Sequence, residues 1–182
     1  MVEIRVLFFL LASFFGIENG QILSEKATVT INPDSKEIEI VQEDLFSIYQ
    51  SDENSEVVLS EWNKLQFSEK TNTGLRKEMN AFTIESFNLE TKKGNIQPHL
   101  KLKYSNQDDL KILGIWYNSP KNQFSINNIS KDNISSKTGK LVGNYWIFNA
   151  DKSFSFTLQP FLQLPEAYQE FKQPIEQLLE QH

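Results

Sequence analysis

The chain alternates between apolar and polar positions over most of its length, and the alternation changes period at its two ends. Ala27-Thr-Val-Thr-Ile31 places Ala27, Val29 and Ile31 on one face, and Glu37-Ile-Glu-Ile40 repeats the pattern beyond Asn32-Pro-Asp-Ser-Lys36. Two alternating runs around such a turn predict an antiparallel hairpin. Glu56 to Leu65 sets Val58, Trp62 and Leu65 at helical spacing, with Ser55 as a helix cap, which predicts one short helix. From Asn80 the period returns to two. Phe82 and Ile84, then Phe87 and Leu89, predict a strand with an irregularity near Ser86, and Lys92-Lys-Gly-Asn95 predicts a turn. Leu100 to Tyr104 alternates strictly. Leu110 to Tyr117 and Leu141 to Phe148 are apolar on both faces, and Phe154 to Leu158 alternates again. Strands of this length, with turns every ~8–12 residues, predict a meandering antiparallel sheet.

The tail changes to helical spacing. Tyr168, Phe171, Ile175, Leu178 and Leu179 fall on one helical face, with Pro165 in the first turn and Pro174 inside. An interior proline removes a hydrogen bond and clashes with the preceding turn, so a kink or restart is expected there. The fold class expected is a β-rich α+β domain. It would hold a single meandering antiparallel sheet or sandwich of about seven or eight strands, a short helix after the first hairpin and a kinked C-terminal helix.

The first twenty residues are of another kind. Val6 to Ile17 carries no charge and would span about 18 Å as a helix, short of the ~30 Å hydrocarbon core of a bilayer. Its length, and Arg5 before it, match the apolar middle of an export signal, although Glu3 and Glu18 depart from the ideal. The expectation is a signal peptide over residues 1–20, removed after Gly20 or earlier at Ser13 or Gly16, and a single β-rich domain over 21–182. The alternative is a buried element of the folded domain.

Composition narrows the chemistry. The 182 residues include no Cys, two His and seven Gly, and the net charge is -6. Without Cys there are no disulfides, thiolate metal sites or lipid-anchoring thiol. A cysteine-free exported domain suits a bacterial envelope better than an animal extracellular space. The acidic balance argues against a nucleic-acid partner. Asp34 to Glu61 holds nine acids and one base, whereas Lys64 to Lys140 holds thirteen bases and seven acids. Two regions that complement each other within the fold are the simpler reading; a bipolar docking surface is the other. Asn128-Ile-Ser130 and Asn133-Ile-Ser135 match the glycosylation pattern, which has no consequence in a bacterium.

Catalytic motifs are scarce. The chain has no G-x-G, no G-x-S-x-G and no calcium-loop pattern. His99 is the histidine away from the terminus, and it precedes a strand on the face of Lys101 and Lys103. A general base there would need a nucleophile and an orienting carboxylate supplied by the fold. Glu37 with Glu39, about 7 Å apart on one strand face, and Asp108 with Asp109 are the acidic pairs to consider for glycoside hydrolysis. No residue is assigned as catalytic or metal-binding, and no cofactor is expected.

The aromatics carry the binding expectation. Trp116-Tyr117 and Tyr145-Trp146 each place adjacent rings on opposite faces of a strand, so one ring of each pair faces away from the core unless something covers it. Trp116, Tyr117, Tyr145 and Trp146 are the candidate binding residues. The function expected is an exported, non-enzymatic binding or envelope-associated domain. It would be periplasmic or extracellular, with an unknown ligand or protein partner in the cell envelope and no membrane span in the mature chain. The alternatives are an exported hydrolase using His99 or a carboxylate pair, and a small structural or interaction subunit.

Overall fold

The computed structural model describes residues 6–48 and 51–181; Glu3, Arg5, Tyr49 and His182 lie outside them. Ten strands are seen among the described residues. They are β1 (Leu23–Asn32), β2 (Glu37–Ile48), β3 (Phe82–Lys92), β4 (Asn95–Tyr104), β5 (Ile115–Asn118), β6 (Gln123–Asn127), β7 (Lys140–Val142), β8 (Tyr145–Asn149), β9 (Phe154–Leu158) and β10 (Lys172–Pro174). They form two antiparallel sheets rather than one. The larger runs β3-β4-β2-β1-β9, with β10 beside the far end of β2; the smaller runs β5-β6-β8-β7.

The expected hairpins form for the expected reasons. Asn32 Oδ1 accepts the amides of Asp34 and Ser35 in the first turn. Lys93 and Gly94 both take positive φ (53° and 86°), the geometry that lets a two-residue turn match strand twist. The irregularity near Ser86 is a register shift between Ile84 and Ser86.

The two runs read as strands buried on both faces are each divided. In the first, Asn106 and Asp109 form a capping box that starts a 3-10 helix over Gln107–Leu113. Gly114, at φ 71°, ends it and releases the chain into β5. In the second, Gly143 (φ 58°) turns the chain between Val142 and Tyr145, so one run becomes β7 and β8. A local cap and a single glycine thus produce the second sheet.

The helices also differ from expectation. The first after the hairpin, α2 (Asp52–Thr71), is twice as long as its apolar stripe. Val58, Trp62 and Leu65 are buried at its centre. Its C-terminal polar residues are held by the sheet: Glu69 Oε1 accepts Leu89 N at 2.6 Å and Asn72 Oδ1 accepts Phe87 N at 3.0 Å. These bonds satisfy amides on the free edge of β3, which would otherwise be a template for aggregation. The tail is not one kinked helix. A single turn, α3 (Glu166–Gln169), is followed by β10, and α4 (Ile175–Glu180) restarts directly after Pro174. Ile175 and Leu178 are buried, whereas Tyr168 and Phe171 are exposed.

One face of the large sheet carries the core. Cross-strand pairing aligns Ile31, Ile38 and Leu102, then Val29, Ile40 and Leu100, with Phe154 and Phe156 on β9. The small sheet packs on the β9 end, where Phe148 stacks on Phe154 at 4.5 Å and Phe124 lies 5.3 Å from it. The opposite face is polar. There Lys101 pairs with Glu37 at 3.3 Å and Lys103 with Glu85 at 3.5 Å. The basic and acidic stretches therefore meet on this face of the sheet, at least in part.

The apolar N-terminal stretch lies inside this core. It is not one long helix: α1 (Val6–Phe9) gives way to a 3-10 turn over Leu11–Phe15, which ends at Gly16 (φ 66°). Phe8, Leu11, Ala12, Phe14 and Phe15 are buried. Phe8 meets Phe156 edge-on at 6.0 Å and Phe15 lies 4.7 Å from Phe87. The backbone is anchored as well, since Gln42 Nε2 donates to Phe8 O at 2.7 Å and Arg76 N to Phe14 O at 2.9 Å. Each buried Phe contributes roughly 1.5–3 kcal/mol. No helix of the described residues is long and apolar enough to cross a membrane.

Candidate functional site

The register of the small sheet sorts its side chains into two faces. Ile115, Ile126, Trp146 and Leu141 pair across it, as do Tyr117, Phe124 and Phe148, and these rows face the core, except that Leu141 on the edge strand stays 49% exposed. The opposite face holds three rows: Asn118, Gln123 and Asn149; Trp116, Ser125, Ile147 and Lys140; Asn127, Tyr145 and Val142.

The four aromatics singled out by sequence therefore separate two and two. Trp116 is 51% and Tyr145 50% exposed on the outer face, beside Val142 at 60%. Tyr117 and Trp146 are half-buried on the inner face and have structural partners. The Tyr117 ring lies 5.0 Å from Phe124, and its hydroxyl donates to Asn122 Oδ1 at 3.0 Å. Trp146 Nε1 donates to Asn128 Oδ1 at 3.2 Å. No described element closes over the outer pair, and the tail passes beside β2 instead. Lys111 Nζ sits 6.0 Å from the Trp116 ring and pairs with Asp108 at 2.9 Å. Two strand spacings and one pleat repeat separate Trp116 from Tyr145, roughly 12 Å between Cα atoms.

The outer face thus offers two separate aromatic platforms on a rigid sheet, with Ser125 as a low point between Trp116 and Ile147. Such a surface can bind by stacking. It carries no paired acid and base.

The groups weighed for catalysis are placed otherwise. His99 lies on the polar face of the large sheet, between Val41 and Asn88. Its Nε2 is 3.6 Å from a Glu90 carboxylate oxygen and has no hydrogen-bond partner. Glu37 accepts from Ser35 Oγ at 2.8 Å. That bond and then Lys101 hold its carboxyl below the usual range, the opposite of what a general acid requires. Asp109 Oδ2 caps the amides of Ser105 and Asn106, and Asp108 is held by Lys111. Asn133, in one glycosylation pattern, donates its Nδ2 to Gln159 O at 3.0 Å. Among the described residues no three His, Asp or Glu side chains group as metal ligands.

Two features escaped the sequence reading. Glu61 on α2 is only 3% exposed, and its carboxylate accepts Gln21 N at 2.5 Å and Ile22 N at 3.3 Å. Burial pushes its carboxyl up to about 7, against the opposing pull of those amides and of Lys64. The signal was present: Glu61 occupies the same helical stripe as Val58, Trp62 and Leu65. The second feature is an open cavity of about 710 Å³ between α2 and the N-terminal segment, lined by Phe15, Ile17, Leu59 and Phe67 among others. Phe67 is 65% exposed beside it.

Comparison of the chain with protein-family models, with curated proteins and with solved structures gives no match.

Proposed function

We propose that this protein is a non-enzymatic binding domain associated with a bacterial cell envelope, and that it binds through the outer face of the small sheet. The observation that carries the reading is the open position of Trp116 and Tyr145 on a sheet whose inner face packs Ile115, Phe124, Ile126 and Phe148 into the core. Trp and Tyr are enriched among the few interface residues whose truncation costs about 2 kcal/mol or more.

The address rests on the first twenty residues and on the absence of Cys. The burial of Phe8, Leu11, Phe14 and Phe15 supports the other reading of that segment, a buried element of the folded domain, and the two readings part on processing. The mass of the purified protein decides: the intact chain supports retention, and loss of about twenty residues supports a leader.

A sedimentation assay with isolated bacterial envelopes tests the binding role. Wild-type protein is expected to pellet with the envelopes, and Trp116→Ala/Tyr145→Ala to stay in solution at unchanged melting temperature. Equal pelleting of both proteins, or none of either, contradicts the reading. A second reading, a structural or interaction subunit, is favoured by the Phe67 cavity on α2. It predicts that Phe67→Ala, not the double variant, abolishes pelleting.

A further inference from the structure

We propose that the ligand of the outer face is a neutral, linear polysaccharide, bound along the line from Trp116 to Tyr145; this rests on the binding role assigned to the same face.

Charge comes first. The chain carries 24 acids and 18 bases, yet Lys140, on the short edge strand β7, is the single ionic side chain in the three outer rows. Lys111 beside Trp116 is already paired with Asp108. A face with one charge among ten side chains complements an uncharged ligand. An anionic polymer would call for a basic patch.

The arrangement of the aromatics comes second. Trp116 and Tyr145 are not adjacent: Val142 pairs with Tyr145, and Ile147 and Ser125 lie between Tyr145 and Trp116. The two rings lie two strands apart. A protein partner would be better served by a contiguous apolar centre. Two separated flat rings suit a ligand whose flat C–H faces recur along its length, and hexose rings in a linear glycan recur in that way.

The polar rows come third. Asn118, Gln123, Asn149 and Asn127 are carboxamides, each with both donor and acceptor atoms. Sugar hydroxyls likewise both donate and accept. Two of these amides are already fixed: Asn118 Oδ1 accepts Lys121 N at 3.2 Å and Asn149 Oδ1 accepts Asp151 N at 2.8 Å. Their Nδ2 groups are left for a ligand on side chains that need not be immobilised on binding.

The separation of roughly 12 Å exceeds one sugar ring, so binding must grow with chain length. The test uses the full chain, with intrinsic Trp fluorescence and calorimetry against glucose and against the hexasaccharides of β-linked glucose, xylose and N-acetylglucosamine. At least one hexasaccharide is expected to bind, glucose at least tenfold more weakly, and Trp116→Ala and Tyr145→Ala each to weaken binding at least tenfold. Binding of none of the three, or binding indifferent to both substitutions, overturns the proposal. Sedimentation separates the two levels of the argument. Trp116-dependent pelleting that an excess of the hexasaccharides does not compete away overturns the glycan and leaves the binding face standing. Loss of both pelleting and glycan binding overturns both.

Discussion

The Glu61 carboxylate accepts the backbone N–H of Gln21 at 2.5 Å, at the joint where the apolar N-terminal segment passes into β1. Gly20 sits against the same carboxylate: a Cβ there would lie 2.9 Å from Ala12 Cβ and 3.1 Å from Glu61 Oε1. A buried acid on α2 therefore holds the chain at the point where a leader would be cut.

Stability should depend on pH through this group. Burial raises the Glu61 carboxyl from 4.5 to about 7 in the folded protein. Between these values the folded state binds more protons than the unfolded one. The stability contributed is full below the unfolded value and is lost as pH rises through about 7. At most roughly 3 kcal/mol is involved. Urea unfolding at about pH 5 and about pH 8.5 should show the wild type weaker at the higher pH, and Glu61→Gln should flatten that difference.

Phe14 is fully buried within the N-terminal segment. Phe14→Ala should cost about 3–5 kcal/mol in urea unfolding of the full chain. A dispensable leader predicts no change.

Gly139 tests the joint between the sheets. A Cβ at this position would lie 2.5 Å from Phe148 Cε1, and the ring cannot retreat because it stacks on Phe154 at 4.5 Å. Gly139→Ala should destabilise by about 1–3 kcal/mol. Near-UV circular dichroism should report the altered Phe and Trp packing.

The free edge of β3 makes a different prediction. Glu69 and Asn72 satisfy Leu89 N and Phe87 N. Replacing both with Ala exposes two strand amides, so light scattering should show concentration-dependent association that the wild type lacks.

His99→Ala should change stability by less than about 1 kcal/mol, since the side chain is partly exposed and its Nε2, 3.6 Å from Glu90, makes no hydrogen bond that the substitution would break. It should also leave envelope pelleting unchanged. Loss of a hydrolytic activity in this variant would revive the catalytic alternative.

Much of the large sheet was legible because its signals are local. Asn32-Pro33 and Lys93-Gly94 dictate their own turns, and the break in alternation at Ser86 marks a real register shift. Period two also placed His99 on the face of Lys101 and Lys103. Where sequence reasoning failed, tertiary context decided. Leu110–Tyr117 is equally apolar as a strand or as a capped 3-10 turn followed by a strand. The length of α2 is set partly by Glu69 and Asn72 reaching another element. Tyr168 and Phe171 match a helical face, but the helix there lasts a single turn and the chain pairs with β2 from Lys172 onward. The aromatic pairs were legible as pairs. Which ring of each faces outward depends on which side of the sheet meets Phe154, and no local pattern encodes that. The first twenty residues show the limit most clearly, because an export signal and a buried core element need the same apolar run.

The most direct test of the account is hydroxyl-radical footprinting of the full chain with and without isolated envelopes, read by peptide mass. The account predicts protection of Trp116, Tyr145 and Val142 on the small sheet, with Phe67 and Val57 on α2 unchanged. Protection of Phe67 with Trp116 and Tyr145 still reactive would contradict it.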